Sequence, residues 1–378
     1  MEVNGNISAI RSEFPVTQRF LYFDTAHQAP MAASVCSAFH DFLYESHHAG
    51  GPKGTWIARI AGIRHRMANL VGAQADEIAF TKNTSDGLNI AANSIVFQPG
   101  DEVLMLEDDH PNNTYAWLNL KRQDVDVRFI RRNGEEVNAT TFEPHITECT
   151  RVISLSHVTS DTGHRYDLKS IGMMCKKKEI LLVVDAIQSL GTLPVDVKAM
   201  GISMMASGCH KGLLVPQGLS LLYVNRTVAK SLRPAFLASS GIANATRRPV
   251  YEDIVLRESA ARFELGNLNL LHLHGLGAAL TLINSIGVNR ISGHVLDLGD
   301  CLIAHMDRLG IGIVGPRARV QRSHIYVLNL PGQIWLDYLA SKAVRVSRQQ
   351  GGIRVSFAMF NTVDEINQLA EIISAGPR

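Results

Sequence analysis

Leu182-Val183-Val184-Asp185-Ala186-Ile187-Gln188 and Ala206-Ser207-Gly208-Cys209-His210-Lys211-Gly212-Leu213-Leu214 are the two stretches that decide the fold. In each, a short apolar or small-residue run leads to a polar group, the pattern of a buried strand with a reactive residue at its C-terminal tip. Lys211 follows Asp185 by 26 residues, a separation that suits neighbouring strands of a parallel sheet. Open α/β sheets bind their ligands at those tips.

Working outward, strands are expected near 78–81, 102–106, 125–130, 151–156, 181–185, 202–206 and 220–224, with helical patterns among them. The alternation reads as a wound α/β sheet. Before it come a helix near 7–14, a brief strand at 20–24 and helices over 33–44 and 57–70, interrupted at 47–54 by a glycine- and histidine-rich break that is a candidate active-site loop. After 263–271 the rhythm changes to long helices over 276–285 and 291–309, then to strands at 324–328, 344–347 and 352–356. The reading is a large domain over 21–270 and a small α+β domain made of 1–20 and 271–378, closely packed because no flexible linker separates them.

The 378 residues suffice for a sizeable core. Lysine and arginine total 37 against 35 acids, a net charge of +2 that offers no basic field for a nucleic-acid partner. Cys36, Cys149, Cys175, Cys209 and Cys301 are odd in number and form no CxxC pair, against a disulfide framework or a bound metal and in favour of reducing cytoplasm. No basic, apolar leader or membrane-length apolar run is present, so a soluble, unexported protein is expected.

A lysine amine facing a carboxylate at adjacent strand tips is what pyridoxal 5'-phosphate (PLP) requires: one group to form an imine, the other to keep the pyridine nitrogen protonated. The glycine-flanked apolar turn after Lys211 would desolvate the amine and lower its pKa. Asp185 could equally cap a helix beginning at Ala186, which is compatible with the same role. Gln188, one turn on, is placed to meet the ring's phenolate oxygen or to lie in solvent. Asn83-Thr84-Ser85-Asp86-Gly87 follows a strand and opens a helix; taken alone, capping by Thr84 or Ser85 is the simpler reading, and beside Lys211 and Asp185 a phosphate site is.

His110 follows another strand tip and could stack on a bound ring, or equally be an exposed loop histidine. His157, at the next tip, suits a contact to the phenolate oxygen, a proton carrier or a structural role. Arg354, after Gly351-Gly352, carries a guanidinium fork suited to an α-carboxylate, with an exposed strand arginine as the alternative. The loops around His27, 47–54 and 239–248 would grip the substrate's side chain, His27 being the candidate contact. Gly275-Leu276-Gly277 follows no strand and lacks the third glycine of a dinucleotide fingerprint.

Taken together, Tyr22-Phe23-Asp24, Asn83-Thr84-Ser85, Asp108-Asp109-His110-Pro111-Asn112-Asn113, Ser156-His157-Val158, Asp185-Ala186-Ile187-Gln188, Ser207-Gly208-Cys209-His210-Lys211 and Gly352-Ile353-Arg354-Val355-Ser356 resemble the class V aminotransferase family of fold-type I PLP enzymes. This group includes cysteine desulfurases, isopenicillin N epimerase-like proteins and kynureninase. The resemblance implies Lys211 as the Schiff-base lysine, Asp185 as pyridinium partner and Gln188 as a phenolate contact. It implies Thr84, Ser85 and His210 at the phosphate, His110 stacked on the ring, His157 facing the phenolate and Arg354 on the substrate carboxylate. It also implies a homodimer with shared active sites, in which the segment around Asn267, an asparagine where threonine is common, reaches the neighbour's phosphate.

Desulfurases of this family carry a nucleophilic cysteine before the carboxylate arginine, and 333–350 contains none. The expected activity is therefore a C–S β-lyase acting on a cysteine derivative without a persulfide relay. Transamination or amino-acid epimerisation is the alternative, with His27, His110 and His157 as acids for the latter. A PLP-binding sensor or scaffold is the non-enzymatic one.

Overall fold

The computed structural model describes residues 7–132, 134, 136–246 and 253–377. The start of the expected small domain, 1–6, and the end of the expected substrate loop, 247–248, lie outside the described residues. In chain order the strands are β1 (Leu21–Tyr22), β2 (Ile78–Thr81), β3 (Glu102–Leu106), β4 (Asp126–Ile130), β5 (Thr150–Ser156), β6 (Leu181–Asp185), β7 (Met204–Gly208), β8 (Ser220–Val224), β9 (Ile313–Val314), β10 (Ile325–Leu328), β11 (Val344–Arg345), β12 (Ser347–Gln349) and β13 (Gly352–Ser356).

β2 to β8 form one seven-stranded sheet in the order β2-β8-β7-β6-β5-β3-β4. Neighbours from β4 to β7 are parallel, whereas β8 runs antiparallel to both β7 and β2. The strands carry continuous apolar runs because both faces are covered. Leu182 and Val184 of β6 join one core with Leu104, Leu106, Ile153 and Met205, and Val183 joins the core on the opposite face with Val103, Met105 and Met204. Helices Lys53–Val71, Leu168–Lys177 and Leu270–Ile286 close the first face, and Thr84–Ser94 and Pro111–Leu118 the second.

A smaller antiparallel sheet, β12-β13-β10-β9, is covered by helices Val288–Leu309 and Val363–Ala375. It is stitched to the large unit through the N-terminal segment: Ser356 N donates to Phe23 O at 2.8 Å, and Thr25 Oγ1 donates to Phe357 O at 3.0 Å. No single helix among the described residues is long and apolar enough to cross a membrane.

Three local expectations are corrected. β7 is shifted two residues from the expected 202–206 to Met204–Gly208, because Ser207 and Gly208 are buried and paired with Leu221 and Ser220. The helix expected from Ala186 is a series of turns, with Asp185 Oδ1 accepting from Ile187 N at 2.9 Å. The break expected at 47–54 shrinks to 49–52, since helix Ala33–His48 extends through both histidines and the next helix begins at Lys53.

Candidate active site

β6 and β7 run side by side, with Asp185 paired to Ala206, so the chain leaving β7 carries Lys211 past the β6 tip. Two glycines make this approach possible. A Cβ on Gly191, whose φ is +84°, would lie 2.3 Å from Gly212 O, and one on Gly212 would lie 2.3 Å from Leu190 O. The turn after Asp185 and the turn after Lys211 therefore pack backbone against backbone.

Burial pulls the Lys211 amine below the ordinary lysine range, against its attraction to Asp185. Burial likewise pushes the Asp185 carboxyl above its usual range, against the Ile187 N–H and with Asp109 adding to the rise. The two groups share one electrostatic environment, as the sequence pairing anticipates.

The neighbouring tips converge on the same place. Asn83, rather than Thr84 or Ser85, caps helix Thr84–Ser94, its Oδ1 accepting from Asp86 N at 2.8 Å. That leaves Thr84 and Ser85 on the first turn, where backbone N–H groups have no intrahelical acceptor. Thr84 Oγ1 accepts from Gly208 N at 2.9 Å. A Cβ on Gly208 would sit 3.1 Å from both Thr84 Oγ1 and His210 Nδ1, so the glycine lets both side chains close on this backbone and form a cradle at the helix N-terminus. His210 is half-buried, its pKa pushed down to about 4 by burial, Lys211 and His27.

His110 is the N-cap of helix Pro111–Leu118, its Nδ1 accepting from Asn112 N at 3.2 Å. Its surface is open to solvent but its ring is partly desolvated, and this desolvation together with Lys211 lowers its pKa. Asp109, which sequence reasoning gave no role, accepts from His110 N at 2.6 Å, Ser156 N at 2.8 Å and Asn113 Nδ2 at 3.0 Å, locking the β3 tip to the β5 tip. His157 is 2% exposed with Nδ1 unpartnered, and burial together with Arg165 pushes its pKa down to about 3. A neutral hydrogen-bonding role fits that environment better than a proton carrier. Gln188 is buried, with Nε2 donating to Ala26 O at 3.1 Å and Oε1 unpartnered.

Arg354 is buried rather than exposed. Its Nη1 donates to Ser160 O at 2.8 Å, its Nε to Ser347 Oγ at 3.1 Å, and its Nη2 lies 3.8 Å from Asp24 Oδ1. Its charge is felt at Lys211. His324, also unforeseen, is buried at the start of β10 and feels both Lys211 and Arg354; its pKa is pushed down to about 3 by burial and by those two cations. His27 is exposed on the turn after Asp24, near enough to His210 to act on its charge. Asn267 is not brought to this cradle: it lies on an exposed turn, accepts from Lys53 Nζ at 3.0 Å and lines a separate cleft of about 440 Å³ with Thr81 and Lys82.

The residues at the tips fit PLP by their own chemistry: a recessed amine beside a buried carboxylate, orphaned polar atoms on His157 and Gln188, and a glycine-opened cradle at a helix N-terminus. The chain belongs to the class V aminotransferase family, whose model, Aminotransferase class-V, matches residues 21–369. It is thus a PLP-dependent enzyme.

Among similar proteins, an uncharacterized protein of Schizosaccharomyces pombe is 32% identical over all of this chain and 89% of its own length. A probable cysteine desulfurase of Methanothermobacter thermautotrophicus is 30% identical over 96% of each chain. The fold is that of the apo cysteine desulfurase from Thermococcus onnurineus (TM-score 0.89, 23% identity, covering 100% of this chain and 98% of that one). It is equally that of the cystine C-S lyase C-DES in complex with cysteine persulfide (TM-score 0.87, 20% identity, covering 96% and 99%).

Proposed function

We propose that this chain is a C–S β-lyase that cleaves an S-substituted cysteine to a thiol, pyruvate and ammonium with the uptake of one water. The observation that carries the reading is the absence of any thiol in 333–350, ahead of Arg354, in a family with cysteine desulfurases among its members.

Of the five cysteines, Cys209 is fully buried with its thiol raised by burial, and Cys175 is buried in the core with its thiol pushed up to about 12. Cys149 precedes β5, at the opposite end of the sheet from the tips. None of these three is a candidate persulfide carrier, and Cys36 and Cys301 lie within helices Ala33–His48 and Val288–Leu309 rather than on a loop ahead of Arg354. Elimination needs only a base and a leaving group on the β-carbon.

When bound, PLP supplies an electron-withdrawing ring that acidifies the α-C–H of an attached amino acid. Asp185 would hold the ring nitrogen, Thr84, Ser85 and His210 the phosphate, and His157 and Gln188 the phenolate edge. His110, fixed by its own cap bond, would cover the ring face. Arg354 would bind the α-carboxylate. Lys211, its amine depressed by burial, would take the α-proton and afterwards return a proton, the group best matched in pKa to the task. Because Asn267 makes no hydrogen bond with the residues of this cradle and is held instead by Lys53, a second copy of the chain would present it to the site, in a homodimer with shared active sites.

Transamination is the second reading, favoured by an S. pombe relative named an uncharacterized aminotransferase, 30% identical over 98% of this chain. Purified holoenzyme incubated with S-ethylcysteine, cysteine and ordinary amino acids, with pyruvate, thiol and keto acids assayed together, separates the two. Pyruvate and ethanethiol in equal amounts without an added acceptor support the lyase. Keto acid formed only when an amino acceptor is added overturns it.

A further inference from the structure

We infer that Asp161 is the specificity-determining residue of this site: a fixed, unpaired carboxylate beside the carboxylate arginine that selects amino-acid substrates with a cationic side chain. The inference builds on the lyase reading and names its substrate class, cysteines S-substituted with an aminoalkyl group.

Asp161 lies in the loop that leaves the β5 tip, and its position is set from both sides. The preceding carbonyl, Ser160 O, accepts from Arg354 Nη1 at 2.8 Å and from Gln349 Nε2 at 3.1 Å, which ties the loop to the residue that would grip the α-carboxylate. The following residue pins the carboxylate: Thr162 N donates to Asp161 Oδ1 at 2.7 Å and Thr162 Oγ1 to the same oxygen at 3.2 Å. Thr162 Oγ1 is itself held 2.8 Å from His164 Nδ1 and 3.0 Å from Thr159 Oγ1. One carboxylate oxygen is thus bound and the other remains for a ligand.

Two cations in electrostatic reach of Asp161, Arg132 and Arg354, each have another carboxylate closer to them. Arg132 is in contact with Asp108, and Arg354 pairs with Asp24. Among the described residues no ion pair within 4.0 Å involves Asp161. His164, buried beside the loop, is neutral at physiological pH, with its pKa pushed down to about 4 by burial and by Arg132. The field of Asp161 reaches His110 and Arg354 on the site and Arg132 and His164 behind it, and the bond from Arg354 to Ser160 O sets the loop carrying the carboxylate on the rim beside that arginine. A half-buried carboxylate at such a rim attracts an ammonium and repels an anion, and this discriminates more than it adds to raw affinity.

The test compares S-(2-aminoethyl)cysteine, S-propylcysteine of nearly equal shape, and S-carboxymethylcysteine on holoenzyme of the wild type and of Asp161→Asn, which keeps an acceptor for Thr162. The wild type is expected to favour the aminoethyl over the propyl compound by about tenfold in kcat/KM, carried mainly by KM, with the carboxymethyl compound poorest. In Asp161→Asn the aminoethyl-to-propyl ratio is expected to fall towards one; taking the ratio cancels any general loss of turnover. A ratio unchanged by the substitution, or a wild type indifferent to side-chain charge, overturns the inference.

Should no conjugate be cleaved at all, the lyase reading fails separately. The side-chain preference is then read by titrating the cofactor's absorption with lysine, norleucine and glutamate in both proteins. Equal binding of lysine and norleucine by the wild type overturns the inference in that case too.

Discussion

The Arg354 guanidinium stands 3.8 Å from the Asp24 carboxylate, with only 6% and 16% of the two side chains exposed. Asp24 Oδ1 makes no hydrogen bond, and burial raises its pKa against the pull of Ser347, Arg354 and His27. An internal acid therefore already occupies the field of the group that would bind the substrate carboxylate. Asp24→Asn should have two opposed effects. Leaving Arg354 buried without its counter-charge costs stability on the order of 2 kcal/mol, while freeing the guanidinium lowers KM for the amino acid. Urea unfolding together with steady-state kinetics checks both, and a raised KM would show that Asp24 positions the arginine rather than competing for it.

Lys211 carries the heaviest demand. Lys211→Ala should retain weak PLP binding through the cradle and Asp185 but lose turnover by roughly 10³-fold or more, the scale for removing a covalent catalyst. Borohydride reduction of the wild-type holoenzyme followed by peptide mapping should place the label on Lys211. A label on any other lysine would falsify the assignment.

Much of this arrangement is legible in the chain, and the exceptions have physical causes. The expected bounds of β2, β3, β6 and β8 coincide with the observed ones, since strands buried on both faces carry mainly apolar runs bounded by polar residues, and those of β13 coincide because glycine and serine bracket its Ile-Arg-Val centre. The same runs do not encode direction, so the antiparallel placement of β8 is not readable from them. Thr84, His110, His157, Asp185 and Lys211 are legible because each follows a strand at its tip. Ser160 acts through its carbonyl, to a partner 194 residues away, and no side-chain pattern marks it. Asp109 and His324 become informative only when separate strands bring their neighbours together.

Two glycines of the site should respond differently to alanine. At Gly208 the new Cβ meets Thr84 Oγ1 and His210 Nδ1 at 3.1 Å, side chains that can shift slightly, so Gly208→Ala should fold and bind PLP about tenfold more weakly. At Gly212 the Cβ meets the backbone oxygen of Leu190 at 2.3 Å, which cannot move without displacing the turn after Asp185. Gly212→Ala should cost about 2–3 kcal/mol in unfolding. Cofactor titration and urea unfolding on the two variants distinguish a binding defect from a folding defect; equal behaviour would refute the division.

The buried histidines give a pH dependence of definite sign. His157 and His324 are held at about 3, and His210 and His164 at about 4, below the ordinary value of 6.5. Above pH 6.5 each is neutral in both the folded and the unfolded chain and stability is unaffected. As pH falls from 6.5 towards 3–4 the unfolded chain takes up a proton that the folded chain refuses. Stability is therefore lost by up to about 1.4 kcal/mol per pH unit for each of the fully buried His157 and His324, and by less for the partly solvated His210 and His164. Asp185, raised by burial, has the opposite sign, since its contribution is present below 3.8 and lost as pH rises through its folded value. The total slope mixes the two. A difference isolates one group: in cofactor-free protein, His157→Gln should unfold with a shallower loss of stability between pH 6.5 and 4 than the wild type, by about one proton's worth of slope. Measuring urea unfolding at intervals across that range tests it, and parallel profiles for the two proteins would mean that His157 is charged in the folded state after all.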